Sequence, residues 1–330
     1  MIAKKLFRLF IYFFVFSSQV MAQQHATTQQ GKKVILYDNG TWNYLDSNSN
    51  VIINNLEIPA MDKHTVFIKH FAYSLSYNEN TEQANWVAYQ LTKEHTNSLF
   101  ERTNRFIIDP KVITGSATNE DYEKSGYDRG HLAPAGDMGW SQTAMEESFY
   151  FSNMSPQVPS FNRGIWKKLE ELMRSWAVEN EKIYIVTGPI FSSDTFLTIG
   201  PNKVGVPTSY YKVILDYSQP EIKGIGFILP NSASQEPLQH FAVSIDKVES
   251  VTGIDFFHLL PDNEEKEIEQ ACSISSWIWT STSTANTSTT PIENKSPTVI
   301  STQCTAITQK GTRCKNMTTN KSGKCNVHNQ

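Results

Sequence analysis

The strand-like and helix-like segments between residues 58 and 270 do not alternate, and this order constrains the fold more than any other feature. Segments with the strand pattern lie at 71–77, 86–91, 183–187, 210–216 and 224–229, and segments with the helix pattern at 141–150, 160–180 and 244–251. Regular alternation is typical of doubly wound parallel sheets, so its absence predicts an α+β fold. Gly253 follows the last helix and predicts a left-handed stop there.

The length of the chain predicts one large domain with small appendages. Its 330 residues, 39% of them hydrophobic, can bury a sizeable core, and this composition excludes a wholly disordered chain. We predict a signal peptide at 1–22, a small β-hairpin at 32–46, the main domain at 58–272, a Ser/Thr-rich linker at 278–303 and a Cys/His module at 304–328.

The first 22 residues have the layout of a secretory signal peptide. Lys4, Lys5 and Arg8 precede an apolar run at 9–16, and small or modest residues lead to a cleavage site after Ala22. An N-terminal membrane anchor is the alternative, but the apolar run is too short to span a bilayer. We therefore expect a secreted or periplasmic protein without stable membrane insertion.

The hairpin at 32–46 is predicted from its turn. Asp38-Asn39-Gly40 separates two short apolar runs, and Asn-Gly accepts the positive φ values that a tight hairpin turn requires. The preceding Gln/Thr-rich residues 23–31 are expected to be loose. No chemistry follows from this element.

The net charge of −4 conceals two regions of opposite sign. Residues 23–293 carry a net −13, whereas residues 294–330 carry six basic residues and no acidic one. An acidic body does not by itself indicate a nucleic-acid binder.

The densest group of chemically active side chains lies between Tyr127 and Met138. Within it, Arg129, Gly130 and His131 are consecutive. A neutral imidazole can take a proton from water near neutral pH, and a guanidinium can hold a phosphate oxygen with two hydrogen bonds. Taken alone, this triplet is more typical of a histidine whose hydrogen bonds are satisfied in a turn.

A second group follows on a predicted helix. Asn162, Trp166, Glu170 and Arg174 recur at steps of four and predict one polar stripe. An adjoining apolar stripe predicts the core face of this helix and consists of Ile165, Leu169, Leu172, Met173 and Trp176. Spacing alone favours a solvated surface with a Glu170–Arg174 pair.

Taken together, these motifs carry a specific resemblance. The segment 128–131, the segment 152–157 (Ser-Asn-Met-Ser-Pro-Gln) and the stripe that begins at Asn162 resemble the DNA/RNA non-specific endonuclease family, as do 140–142 and 184–191. The resemblance covers about residues 60–265. It implies a ββα-metal nuclease fold with a mixed or antiparallel sheet and flanking helices.

The resemblance also implies residue roles. His131 would be the general base and Asn162 the direct Mg²⁺ ligand, with Mn²⁺ as an alternative metal. Asn153 would orient the histidine and bound waters, and Glu170 would hold metal-bound water. Arg129 and Arg174 would contact phosphate. A further arginine is expected upstream, and both Arg102 and Arg105 fit that position.

The C-terminal module is predicted to bind zinc. Cys304, Cys314, Cys325 and His328 form the pattern C-x9-C-x10-C-x2-H, which resembles a small zinc-binding motif appended to bacterial proteins. A fragment this short needs a bound metal ion or a disulfide to fold, because its apolar core is too small. The alternative is a disulfide between two of these cysteines, with the third unpaired or joined to Cys272.

The predicted function is that of an exported, Mg²⁺-dependent endonuclease that hydrolyses both DNA and RNA. The alternative is an inactive nucleic-acid or surface-binding protein on the same scaffold. A metalloprotease is poorly supported, because the sequence lacks a His-Glu-x-x-His segment. The sequence carries no signal for an oligomeric state.

Overall fold

A computed structural model describes most of the chain. It covers the strands at 24–27, 33–36 and 42–44, the residues 53–279 apart from Asp194 and Pro220, and the tail segments 302–307, 312–315, 317–318, 322, 324–325 and 328. The predicted signal peptide and nearly all of the predicted linker lie outside the described residues. The chain divides into two compact units, 1–281 and 282–330.

The elements follow the irregular order predicted from the sequence. The strands are β1 (Gln24–Thr27), β2 (Lys33–Leu36), β3 (Trp42–Tyr44), β4 (Val66–Lys69), β5 (Ser74–Asn78), β6 (Gln83–Thr92), β7 (Asp128–His131), β8 (Met154–Gln157), β9 (Lys182–Ile190), β10 (Thr198–Ile199), β11 (Val204–Gly205), β12 (Ser209–Asp216), β13 (Lys223–Pro230), β14 (Ala242–Val243), β15 (Thr302–Gln303) and β16 (Met317–Thr318). The α-helices are α1 (Asn119–Tyr122), α2 (Ala135–Met138), α3 (Gln142–Glu147), α4 (Pro159–Phe161), α5 (Lys167–Glu179), α6 (Ile245–Thr252) and α7 (Asp262–Gln270).

The centre of the first unit is a seven-stranded sheet with the order β14-β13-β12-β9-β6-β5-β4. Neighbouring strands pair antiparallel throughout. The α+β prediction is therefore confirmed. The predicted strands are present, and β9 extends to Ile190 although the sequence pattern placed its end at residue 187. The strand predicted at 71–77 begins only at Ser74.

The sheet is covered on both faces, which explains the nearly continuous apolar runs of its central strands. On one face, Leu169 and Trp176 of α5 pack into a core cluster with Ile214 of β12. On the opposite face, Val248 of α6 and Ile268 of α7 pack in a second cluster. Gly253 ends α6 in the left-handed conformation with a φ of 69°, as predicted.

A separate two-stranded sheet, called the β7–β8 hairpin below, lies beside the large sheet, and helices α2 and α3 lie between its strands in the chain. The sequence patterns did not identify these two strands individually. Strands β7 and β8 pair antiparallel, with Gly130 opposite Ser155. A Cβ atom at Gly130 would lie 2.2 Å from the side chain of Gln157, so a larger residue would force this buried side chain to move. The hairpin and α5 together form the ββα arrangement that the motifs imply.

The helix predicted over 160–180 is interrupted. Residues Asn162–Trp166 form a π-type turn between α4 and α5, with Gly164 at φ −107° and ψ −110°. This turn shifts the register of the predicted polar stripe, because a four-residue step no longer keeps side chains on one face. Trp166 is consequently fully buried, which corrects its predicted place on the polar stripe. The five predicted core residues of the adjoining stripe are all buried, as predicted.

The N-terminal hairpin is present and larger than predicted. Strand β2 pairs antiparallel with β3, with Val34 opposite Tyr44. Strand β1 pairs with the other edge of β2. The expectation that residues 23–31 are loose is therefore wrong for β1. In the part of the chain that the structure describes, no helix is both long and apolar enough to cross a membrane.

Candidate active site

A cavity of about 560 Å³ opens where the β7–β8 hairpin meets the start of α5. Most of the predicted site residues line it: Arg129, His131, Asn162, Glu170 and Arg174. Arg102 lines the cavity as well, whereas Arg105 does not. Of the two arginines that fitted the expected upstream position, Arg102 is therefore the one at the cavity. Trp166 and Asn153 lie outside its lining.

His131 ends strand β7 and is 7% exposed. The edge of its ring meets Phe149, with ring centroids 4.9 Å apart. Within the described residues, its buried Nε2 atom has no hydrogen-bond partner. Burial, reinforced by the nearby Arg102 and Arg129 cations, lowers the pKa of His131 to about 3. The imidazole is therefore neutral near pH 7 and can accept a proton.

Asn153 holds the backbone that follows His131. Its Oδ1 atom accepts from the Ala133 amide at 2.9 Å, and its Nδ2 atom donates to the carbonyls of Ala133 at 2.9 Å and Ser148 at 2.8 Å. Asn153 is fully buried, and all three of these hydrogen bonds are made with main-chain atoms. None of these hydrogen bonds reaches the His131 imidazole, so any orienting effect of Asn153 would act through the main chain.

The amide of Asn162 is oriented by Asp128. Nδ2 of Asn162 donates to Oδ2 of Asp128 at 2.9 Å. The same carboxylate accepts from Nε and Nη2 of Arg163 at 2.8 and 2.6 Å. Because its nitrogen is committed to Asp128, Asn162 has its Oδ1 atom available as a metal ligand. No role was predicted for Asp128, although it directly precedes Arg129 in the motif that contains His131.

Arg174 is held by Asp137 instead of Glu170. Nη1 of Arg174 lies 2.8 Å from Oδ1 of Asp137, and the Tyr89 hydroxyl donates to Oδ2 of the same carboxylate at 2.8 Å. No Glu170–Arg174 ion pair within 4.0 Å forms among the described residues, so the pair expected from spacing is wrong. The Arg174 guanidinium pairs with the buried carboxylate of Asp137 in place of that of Glu170.

A buried lysine interacts electrostatically with Glu170. Lys212 of β12 is fully buried, and its Nζ atom lies 4.8 Å from the ring centroid of Trp166. Burial lowers the pKa of Lys212 and raises that of Glu170, while attraction between the two groups opposes both shifts. Lys212 lies in an apolar segment that predicts a buried strand. The residues around it do not indicate that its electrostatic partner is Glu170, which lies 42 positions earlier in the chain.

Two arginines are held over aromatic rings at the cavity. The guanidinium of Arg129 lies 4.1 Å from the Phe106 centroid, and its Nη1 donates to Oδ1 of Asn119 at 2.6 Å. The guanidinium of Arg102 lies 5.1 Å from the Phe149 centroid. The cavity is therefore a local cationic site on an acidic body, suited to a phosphate diester.

The family profile described as DNA/RNA non-specific endonuclease matches residues 52–263 of this chain. The chain belongs to the DNA/RNA non-specific endonuclease family. The resemblance drawn from the motifs is confirmed, and the chain is a nuclease.

Named relatives in this family are similar over more than half of the chain. Mitochondrial endonuclease G of Bos taurus is 39% identical over 199 residues, which are 56% of this chain and 67% of that protein. Nuclease C1 of Cunninghamella echinulata var. echinulata is 40% identical over 210 residues, which are 59% of this chain and 83% of that protein. The crystal structure of the EndoG/EndoGI complex, reported for the mechanism of EndoG inhibition, matches with a TM-score of 0.58 at 33% identity, covering 63% of this chain and 90% of that one.

The tail unit brings its four predicted zinc ligands together. The ligand atoms of Cys304, Cys314, Cys325 and His328 all lie within 4.8 Å of one another. Sγ of Cys325 is 3.3 Å from Nδ1 of His328 and 3.9 Å from Sγ of Cys314. Tetrahedral ligands at zinc–sulfur distances of about 2.3 Å are separated by about 3.8 Å, so this cluster fits one zinc ion. The four cysteines form no disulfide in the structure.

Proposed function

We propose that this nuclease is an exported, Mg²⁺-dependent endonuclease that hydrolyses DNA and RNA with little base preference. The observation that carries the proposal is the pairing of a neutral His131, whose Nε2 atom has no partner among the described residues, with an Asn162 amide fixed by Asp128 in the same cavity. A base that takes a proton and an oxygen that holds a metal are the two groups that such a hydrolysis requires.

The residues present suit a hard divalent cation. Mg²⁺ prefers oxygen ligands and keeps several waters, so the amide oxygen of Asn162 can be the one direct protein ligand, while Glu170, which lines the same cavity, holds metal-bound water. Mn²⁺ would be accepted by the same donors. When bound, the metal supplies positive charge that neutralises the scissile phosphate and stabilises the leaving oxygen.

The side chains of the cavity then supply the remaining steps. Arg129, Arg174 and Arg102 bind the non-bridging phosphate oxygens. The His131 imidazole removes a proton from a water as the oxygen of that water attacks phosphorus, the bond from phosphorus to the 3′ oxygen breaks, and the departing oxygen takes up a proton from solvent. The products are a 5′-phosphate and a 3′-hydroxyl.

The lack of sugar and base preference follows from the same contacts. Because the nucleophile is water, the reaction needs no 2′-hydroxyl, and both DNA and RNA are substrates. Contacts to phosphate fix the position of the strand but carry no base information. The six basic residues at 294–330 give the acidic enzyme a second cationic surface for the phosphate backbone.

Two further parts of the proposal concern the ends of the chain. Lys4, Lys5, Arg8 and the apolar run that follows support export with cleavage after Ala22. The clustered thiols and imidazole of the tail support a structural zinc ion, since a fragment of this size has too small a core to fold alone. Zinc analysis of the purified tail unit before and after chelation tests the second point.

The proposed activity is tested with plasmid DNA and a structured RNA incubated with the purified protein. We expect nicking of both polymers with Mg²⁺ and none with EDTA, and we expect products that a ligase can rejoin, because ligation needs a 5′-phosphate beside a 3′-hydroxyl. Binding without cleavage would favour the inactive binding protein. Products with a 3′-phosphate would show that the bond to the 5′ oxygen breaks, and would contradict the proposed departure of the 3′ oxygen.

A further inference from the structure

A group of carboxylates lies on the side of the sheet opposite the active-site helix. Asp246 and Glu249 are three residues apart on α6, and Glu269 lies near the end of α7. Oxygen atoms of these three side chains all lie within 4.8 Å of one another. Like charges held this close repel, so the arrangement needs a compensating positive charge.

The described residues do not supply that charge. Glu269 is only 6% exposed, and its buried Oε1 atom has no hydrogen-bond partner within the described part of the chain. In the same part of the chain, no lysine, arginine or histidine nitrogen lies within 4.0 Å of the three carboxylates. A buried carboxylate without a partner is costly, and native structures generally compensate it with a charge or a metal.

We infer that Asp246, Glu249 and Glu269 bind a calcium ion that joins α6 to α7. All the available ligand atoms are oxygens, which selects hard cations over zinc or copper. Calcium–oxygen distances of about 2.3–2.6 Å place two ligands on one ion no more than about 5.2 Å apart, which the observed spacing satisfies. Calcium also accepts irregular geometry and bidentate carboxylates, whereas Mg²⁺ requires a near-ideal octahedron.

The surrounding structure holds one of the ligands in place. The amide of Phe256 donates to Oε1 of Glu249 at 2.8 Å, which ties this carboxylate to the loop after α6. Phe256 is itself fully buried. The site therefore joins α6, its following loop and α7, and occupancy should stabilise this layer of the fold.

A bound proton is the competing way to neutralise the cluster. Burial and the neighbouring Glu249, Glu265, Asp246 and Asp255 carboxylates raise the pKa of Glu269 to about 9. Protonated Glu269 would contribute stability that is lost as the pH rises through that value. Calcium and a proton therefore predict different responses, and the experiment separates them.

The test measures the thermal unfolding of metal-free full-length protein at pH 8 with and without Ca²⁺. Ca²⁺ at about 100 times its Kd should raise the Tm by about 5 °C or more. The Asn162→Ala variant should keep this increase, because it alters only the active-site cavity. Glu267→Gln, an exposed position on α7, should keep it too and controls for the loss of one negative charge.

The decisive variant is Glu269→Gln, which keeps the size of the side chain but removes its charge. It should fold with a metal-free Tm at or above that of the wild type, lose the Ca²⁺-dependent increase, and retain Mg²⁺-dependent plasmid cleavage. An undiminished Ca²⁺ response in Glu269→Gln would overturn the site. So would a wild type that ignores Ca²⁺ while its Tm falls as the pH rises through 9, because the cluster would then be neutralised by a proton.

Discussion

Nδ2 of Asn162 donates a 2.9 Å hydrogen bond to Oδ2 of Asp128, and this bond decides which atom of the amide can meet a metal. The two residues lie on different elements, the turn before α5 and the start of β7. A rotation of the amide about its last side-chain bond would exchange oxygen for nitrogen and leave no ligand. Strand β7 thus carries His131 and, through Asp128, also orients the amide of Asn162.

Asp128→Asn should weaken the use of Mg²⁺. An asparagine can present its own NH₂ group to Asn162, so the Asn162 amide is no longer held with its oxygen available. Loss of a residue that orients a metal ligand typically reduces affinity or activity by about 10- to 100-fold. The measurement is a Mg²⁺ titration of the cleavage rate. Arg163→Gln, which keeps the Asn162–Asp128 bond, is the matched control, and an identical titration for Asp128→Asn would remove its orienting role.

Lys212→Met should shift the pH profile of cleavage to higher pH. The Lys212 cation lowers the pKa of Glu170, so its removal raises that pKa and leaves less Glu170 ionised at pH 7. We expect a drop of about tenfold in rate at pH 7 that is partly recovered at pH 9. Rates measured from pH 6 to pH 9, with a thermal melt to confirm folding, test this. A uniform loss at every pH would indicate a structural role only.

The imidazole of His131 in the metal-free protein should stay neutral to pH 5. Its pKa is lowered to about 3 by burial and by Arg102 and Arg129, whereas the unfolded chain takes up this proton near pH 6.5. The unfolded state therefore binds more protons below pH 6.5, and this histidine reduces the stability of the fold as the pH falls from there. NMR of the ring nitrogens against pH measures this directly. A midpoint near 6.5 would show that the ring is more solvated than the structure indicates.

Deletion of residues 294–330 should weaken the capture of long DNA and leave the chemistry intact. The tail carries a net +6 against −13 for residues 23–293. A tethered second contact raises the effective concentration of substrate, so its loss raises KM without changing the maximal rate. Salt titrations on plasmid should be shallower for the truncated enzyme, because fewer phosphates are neutralised. Superimposable curves for the two enzymes would show that the tail does not bind nucleic acid.

Much of the site was predictable because its residues lie in compact motifs. His131 and Asn162 fall at recognisable spacings, and the structure brings both into one cavity. Nearly continuous apolar runs likewise predicted the central strands, since each of these strands is buried on both faces. Both kinds of pattern involve residues that are close together in the chain, so they can be recognised from the sequence alone.

The remaining features depend on contacts between distant segments. The Lys212–Glu170 interaction joins a strand to a helix, and the strand pattern does not show what lies across from a buried lysine. Trp166 was misplaced because the π-type turn at 162–166 adds residues to a helical turn, which no periodicity of 3.6 describes. Arg174 was expected to pair with Glu170, its neighbour in sequence, but Asp137 approaches from α2 instead.

The central claim is that His131 is the general base, and the most direct test is the single-turnover cleavage rate of His131→Ala on DNA and RNA at saturating Mg²⁺. A general base contributes about 10²- to 10⁴-fold, so we expect a loss of that size on both substrates, with an unchanged Mg²⁺ requirement and an unchanged Tm to within a few degrees. A loss of less than about tenfold on either substrate would contradict the assignment of the base to His131.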